Sequence, residues 1–535
     1  MFSTGLPRIS AGSAQASSDA AHGRVRNAAP PQMFSHSDKE GRRPGEDRFQ
    51  IMSVIAQLRR LPSQARRAIR RKARQLRRLS RKTLQLTLLL GGAALVALVS
   101  LGFARLADLA ISLNGRWLAA MPWLGWVLLP FGLALIRWAT LRYAPNAAGS
   151  GIPQVIASLS LAPTAGRRQL TSLAQALWKI PLTFAGLVFG ASIGREGPSV
   201  QVGAAVMLTW GNFWKKMGVP LKGFHASELI AAGAAGGLAA AFNAPLAGVI
   251  FAIEELGRGT ALRWQRLVLI GVLASGFLVV ALVGNNPYFG TFSGHSLSHN
   301  MLAWTLVCGL VSGALGGIFS HALGKGPAAF MPARWRGWAR RHPVQLAFVL
   351  GLGMAALGLY SHNTVYGTGY AHASQALAGA APEVAGFGVA KLAATLASYW
   401  AGIPGGIFTP ALTTGAGIGA QIGQWAGAAA DPRVLVLLSM AAFLAAATQA
   451  PLTASVVVME MTGSQPMLFW LLVGSLFASV VSRQFGPHAF YHNAAGRYRH
   501  RAIEYDQAQR AQAQARAQAQ DPPQAQASRR DQGQA

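Results

Sequence analysis

From about Thr83 to Phe490 one apolar run follows another, with no polar seam wide enough to separate soluble domains. Runs such as "LTLLLGGAALVALVSLGFARL", "MPWLGWVLLPFGLALI", "LVLIGVLASGFLVVALVG" and "LFWLLVGSLFASVV" approach or reach the ~20 residues a helix needs to cross a bilayer core. Others are shorter and interrupted by Gly or Pro, as re-entrant or discontinuous helices are. A soluble chain of 535 residues would divide into several domains. With 52% hydrophobic and 12% charged residues, this one reads instead as an all-α polytopic membrane protein of mostly tilted and discontinuous helices, embedded in a lipid bilayer.

The formal charge of +31 suggests nucleic acid, but its distribution does not. Twelve Lys or Arg and no acid lie between Arg59 and Lys82, directly ahead of the first apolar span. A basic block abutting a membrane helix is held on the cytoplasmic side by the positive-inside rule and by anionic headgroups. No nucleic-acid partner is therefore expected. Four regions follow: a polar, disordered segment 1–50, a basic amphipathic helix 51–83, a transport domain 84–503 and a low-complexity Ala/Gln/Arg tail 504–535. The first apolar run starts more than eighty residues in, which argues against a cleavable signal peptide. Both termini are expected in the cytoplasm, with the protein multi-pass in an inner (plasma) membrane. Cys308 is the single cysteine and reads as a small core residue.

The transport domain contains a repeat. "NAPLAGVIFAIE" (Asn243 to Glu254) matches "QAPLTASVVVME" (Gln449 to Glu460) at an offset of 206. Lys179, Gly190 and Pro198 match Lys391, Gly402 and Pro410 at 212, and "GSGIPQVIASL" from Gly149 echoes "GTGYAHASQAL" from Gly367 at 218. Three anchors in one order indicate a duplicated unit of about 200 residues, spanning about 84–284 and 300–490. Transporters built this way place their site where the repeats meet. Loop charge gives a direction: the loops with Arg258, Arg263 and Arg266, and with Arg334, Arg336, Arg340 and Arg341, are basic and expected inside. Asn285 to Asn300 carries no Lys, Arg, Asp or Glu and is expected outside.

Only eight acids fall between Thr83 and Phe490. Asp108, Glu383 and Asp431 fit solvated loops or helix ends, and Glu228 fits the first turn of a helix. Glu196, Glu254, Glu255 and Glu460 remain. Glu196 lies in "GREGPSVQ", where glycines permit close approach and Pro198 suits a helix's first turn. Free N–H groups there form a small anion site. "GIPGGIFTP" repeats the logic with Pro410 and the amides of Ile407 and Phe408, and "GSGIP" adds a hydroxyl from Ser150. Amides and hydroxyls without full positive charges suit a monovalent anion that must bind and leave. Lys179 and Lys391 either raise the local potential or snorkel to an interface. A carboxylate beside such an N-terminus competes with the anion, so Glu196 reads as a gate that also carries a proton; the alternative is a structural pair with Arg195. Glu254 and Glu255 could pass protons or pair with Arg258 at a helix end. Glu460, as the repeat mate of Glu254, suggests a shared packing role that leaves Glu255 apart.

These motifs together resemble the CLC family of chloride channels and chloride/proton antiporters, through "GSGIP", "GREGP", "GIFTP", "AAAFNAPLAGVIFAIEE" and "APLTASVVVMEMT", over about residues 84 to 503. The resemblance implies a homodimer with one pathway per subunit and two inverted-topology repeats in each. Ser150, Ile407, Phe408 and Tyr491 would hold the central chloride, with Gly151 and Gly197 beside them. Glu196 would be the gating glutamate and Glu255 the inner proton-transfer glutamate. That pairing implies secondary active exchange of chloride for protons; the alternative is a passive voltage- or pH-gated chloride channel of the same fold. Serine in "GSGIP" implies chloride rather than nitrate. Gln154 and Ile156 stand where some relatives carry acids and receive no role. No nucleotide-binding regulatory pair is expected after the membrane part. No enzymatic activity, cofactor or metal is expected: the histidines lack HExxH spacing and Cys308 lacks a partner.

Overall fold

The computed structural model describes residues 63–219, 225–258, 266–292, 300–486 and 489–520. Expectations for residues 1–50, for the basic segment before residue 63, for Arg263, for residues 293–299 and for the tail beyond residue 520 lie outside them. Two units divide between Arg78 and Leu79. The described part of the first is helical; the second holds everything considered below.

Among the described residues the regular structure is helical, apart from two isolated backbone bridges. The apolar part of α1 (Ser63–Ala120), from Thr83, is followed by α2 (Gly125–Tyr143). The first repeat continues as α3 (Ile152–Ser160), α4 (Ala165–Leu170), α5 (Leu173–Val188), α6 (Glu196–Lys216), α7 (Ala226–Phe242), α8 (Pro245–Phe251) and α9 (Arg266–Val283). Then come α10 (Met301–Lys325), α11 (Ala333–Arg341) and α12 (Pro343–Tyr360). The second repeat continues as α13 (Tyr370–Leu377), α14 (Phe387–Trp400), α15 (Phe408–Ala426), α16 (Pro432–Thr448), α17 (Pro451–Thr462) and α18 (Leu468–Arg483). The chain ends its described course in α19 (Phe490–Gln520). Thus the first part of the expected low-complexity tail is helix, in keeping with the high helix propensity of Ala, Gln and Arg.

Among the described residues, five helices are long and apolar enough to cross a membrane: Thr83–Ala120, Pro122–Tyr143, Met301–Lys325, Pro343–Tyr360 and Gln465–Arg483. Shorter apolar helices, Ala226–Phe242, Val268–Val283, Pro432–Thr448 and Pro451–Thr462, lie between them. Large apolar side chains such as Phe131, Leu310, Leu359 and Phe469 are exposed, as a lipid-facing surface requires. The protein is a multi-pass membrane protein.

The duplication is built into the packing. In the first repeat α6 packs against α7, and in the second α15 packs against α16, through small residues. A β-carbon at Gly203 would strike the Gly233 carbonyl, and its mate at Gly415 would strike the carbonyl of Ser439. Without side chains the backbones approach closely, which is how helices associate where lipid supplies no hydrophobic drive. Helices α7 and α16 both end on a left-handed residue that is not glycine, Asn243 at φ 52° and Gln449 at φ 57°. Each of these side chains donates to a distant carbonyl, Asn243 to Gly284 at 2.9 Å and Gln449 to Gly486 at 2.9 Å.

The repeats meet about a local two-fold axis. Gly194 and its mate Gly406 exchange both backbone hydrogen bonds, each 2.7 Å, as an antiparallel pair. Further along, Glu254 accepts from the amides of Leu452 and Thr453 at 3.1 and 2.6 Å, opening α17. Glu460 accepts from Leu246 and Ala247 at 3.1 and 2.6 Å, opening α8. Each glutamate caps the other repeat's helix, the reciprocal contact that two-fold symmetry demands. An antiparallel crossing of mates sends the two copies in opposite directions, the relation of inverted-topology repeats. The shared packing role read for Glu254 and Glu460 is what the geometry contains. Arg258 pairs with neither Glu254 nor Glu255; its guanidinium donates to the Gln449 carbonyl at 3.1 Å.

Candidate functional site

Three glycine-rich segments converge. Gly149 donates to the Ile403 carbonyl at 3.0 Å and accepts from Gly405 at 3.1 Å, binding "GSGIP" to "GIPGG". The Gly194–Gly406 exchange binds "GREGP" to the same strand. Helices α3, α6 and α15 therefore start from one knot of backbone, with Pro198 and Pro410 third in their helices. Gly151 turns the chain into α3 at φ 101°, which glycine alone adopts readily. Gly197 contributes by its lack of a side chain, since a β-carbon there would strike the Ser150 hydroxyl.

Two buried lysines hold the approaches. Lys179 Nζ donates to the carbonyls of Ala147 and Gly149 at 2.8 and 2.9 Å and to Gln201 Oε1 at 2.8 Å. Its mate Lys391 donates to Val365 and Gly367, both at 2.8 Å. Both side chains are wholly buried, so the snorkelling alternative does not hold: each ammonium finds its acceptors in the turn before a short helix. Gln154, given no role from sequence, donates to the carbonyls of Asn146 and Ala148 at 3.0 and 2.7 Å and fixes the same turn. Its position early in α3 was the available signal, but a glutamine there carries no motif.

Inside the knot, polar groups stand without conventional partners. The hydroxyls of Ser150 and Tyr491 are buried and form no well-aligned hydrogen bond, although they lie close enough to interact. The Tyr491 ring stacks on Phe408, centroids 6.1 Å apart and planes 11° off parallel. Ile407 precedes and Phe408 begins α15, so their amides are among those a helix leaves unpaired. Two buried hydroxyls and a helix N-terminus can hold a monovalent anion through partial charges alone.

Glu196 is wholly buried and its carboxyl turns back over Gly194, against Pro410 and beside Thr409. It therefore rests near the N-terminus of the other repeat's helix, α15. The structural pair with Arg195 is not formed. Arg195 binds Asp108 at 2.6 Å and the Ala104 carbonyl at 2.6 Å, and sits 5.5 Å from the centre of the Tyr288 ring. Asp108 is thus no idle solvated acid, although its side chain is 58% exposed; it anchors a buried arginine from mid-α1. No sequence spacing links residues so far apart.

Glu255 lies on a π-helical turn, Ala252–Leu256, that continues α8. It is buried, and its Oε1 stands 3.3 Å from Nδ1 of His492. Such turns recur at functional sites. Both Glu196 and Glu255 lie within electrostatic range of the Tyr491 hydroxyl. Among the described residues, no three His, Cys, Asp or Glu side chains gather as a metal site would require.

The sequence profile of the Voltage gated chloride channel family matches residues 132–483, well over half of the chain. The chain belongs to that family, the CLC family. It is 30% identical over 381 residues to the H(+)/Cl(-) exchange transporter ClcA of Citrobacter koseri, covering 67% of this chain and 76% of that one. The ClcA exchange transporter of Vibrio cholerae is 30% identical over 443 residues, covering 76% and 87%. A slow cyanobacterial Cl-/H+ antiporter of known structure has a TM-score of 0.64 at 24% identity, covering 78% of this chain and 98% of that one. A CLC-type fluoride/proton antiporter gives 0.61 at 22%, covering 75% and 96%. These structural likenesses establish the CLC fold. The family match takes in all three glycine motifs, Glu196 and Glu255 but ends before Tyr491 and His492; Tyr491 is already expected from the resemblance, and His492 enters the site through geometry alone.

Proposed function

We propose that this CLC protein is a secondary active transporter that exchanges chloride for protons. The single observation that carries the reading is the Glu196 carboxyl, buried at the start of α6 and turned to the N-terminus of α15. A carboxylate is an anion, and held there it excludes a halide; protonated, it loses its attraction to the amides and swings aside. Chloride then binds between the Ser150 and Tyr491 hydroxyls and the Ile407 and Phe408 amides. Gly151 and Gly197 shape the backbone around it. Glu255 passes the proton between Glu196 and the cytoplasmic solution. The exchange-transporter names of the curated relatives support antiport over passive conduction. The working unit is a homodimer in the lipid of an inner (plasma) membrane, with both termini cytoplasmic.

Reconstitution in liposomes tests this. With a chloride gradient imposed, external pH is recorded; protons driven uphill against their own gradient support exchange. Chloride flux with no proton movement would overturn it in favour of a passive channel.

A further inference from the structure

Glu255 must reach water to do the work assigned to it, yet the carboxyl is buried. Its neighbour Glu254 is committed to the amides of Leu452 and Thr453, and Arg258 to the Gln449 carbonyl. The described titratable side chain in ion-pair contact with Glu255 is His492, the residue after Tyr491 at the start of α19. Its side chain is 22% exposed against 1% for Glu255, so the pair steps from the interior toward solvent. The other ring nitrogen, Nε2, lies 3.1 Å from the Arg258 carbonyl. A carbonyl only accepts, so Nε2 carries a hydrogen, and Nδ1, which faces the carboxyl without an aligned hydrogen bond, is the atom that can take up or give away a second proton.

We propose that His492 is the residue through which Glu255 exchanges protons with the solution on the Arg258 side. The inference rests on the antiport reading and deepens it. A proton from water adds to Nδ1, reached by rotation of the partly exposed ring, and forms the imidazolium. Facing Glu255 again, the Nδ1–H bond breaks as an O–H bond forms on Oε1. Histidine returns to its neutral Nε2–H tautomer, and an ion pair becomes a neutral pair. The reverse sequence releases a proton.

Among the described residues, few charged groups stand near His492. Glu255 and Arg258 face it from the turn after α8. Helix α3 carries no titratable side chain, α16 has only Arg433 at its far start, and α10 brings its C-terminal end, with His321 and Lys325, near Asn493. Helix α4, with Arg167 and Arg168, meets α19 further along, where Gly166 abuts Ala502. On α19 itself Tyr491 precedes the histidine, and Arg497, Tyr498, Arg499, His500 and Arg501 follow from the second turn after it onward.

The test uses the full chain in phosphatidylethanolamine/phosphatidylglycerol liposomes, with chloride and proton turnover measured from pH 4.5 to 7.5. His492→Gln can still donate an amide hydrogen to the Arg258 carbonyl but cannot relay a proton. Its proton turnover is expected to fall about tenfold or more and to lose the parent's pH profile. His492→Ala is expected to behave likewise and to recover proton turnover when imidazole is added. Proton turnover and pH profile in His492→Gln matching the parent would overturn the proposal, as would failure of imidazole to rescue a folded His492→Ala. If the alanine variant does not fold, the glutamine variant alone decides. A parent protein that moves chloride but no protons would instead overturn the antiport reading, and Glu255→Gln, expected to lose proton movement, serves as the internal reference.

Discussion

Set side by side, the two repeats agree in nearly everything that holds them together and differ in the groups assigned to transport. Lys179 and Lys391, Glu254 and Glu460, Asn243 and Gln449, and the Gly194–Gly406 pair make matching bonds at nearly matching distances. At the same offsets, Glu196 faces Phe408 across the duplication, Arg195 faces Ile407, and Glu255 faces Met461. A two-fold scaffold lets two helix N-termini meet head to head, and only one of them carries an acid. On the reading proposed above, the symmetric positions make the cradle and the asymmetric ones decide what happens in it.

The sharpest way to break this division is Glu196→Gln. Proton turnover in liposomes should fall about a hundredfold or more, while chloride flux persists without its pH dependence. Proton turnover near the parent level would show that the chemistry does not reside at the odd position. Next come the lysines: Lys179→Met and Lys391→Met each strand buried carbonyls, and each should lower stability by about 3 kcal/mol or more. Thermal unfolding in detergent should report similar losses for both, and a large effect for one alone would mean the halves are not equivalent supports. Smaller losses, about 1–2 kcal/mol each, are expected for Glu254→Gln and Glu460→Gln, because each removes a charge from a helix N-terminus but keeps an acceptor. The same melting assay compares them, and equality is the expected result. Least of all is Asp108→Asn, at about 1 kcal/mol or below, since that carboxylate is largely in water and Arg195 retains the Ala104 carbonyl.

Much of this was legible in the residues. The apolar runs dictated a helical membrane fold, and three drifting offsets disclosed the duplication before any coordinates. Glycines followed by proline marked the helix starts, because few other patterns combine close backbone approach with an unpaired first turn. What stayed hidden was pairing at long range. Asp108 and Arg195 are 87 residues apart, and no local rule joins them. The fate of Lys179 and Lys391 was undecided for the same reason: an ammonium in an apolar run either reaches for an interface or finds carbonyls, and only the fold supplies the carbonyls. His492 escaped notice because a histidine beside a candidate tyrosine carries no spacing signal of its own. What singles it out is its contact with Glu255, which lies on a π-helical turn.

The reciprocal hydrogen bonds between Gly194 and Gly406 have a mechanical corollary. Because each half is stitched to the other beside Glu196, tilting one half on its own would break both of these bonds. In the exchange cycle proposed above, that seam favours small swivels of individual residues, Glu196 first among them, over wholesale rocking of one half against its twin.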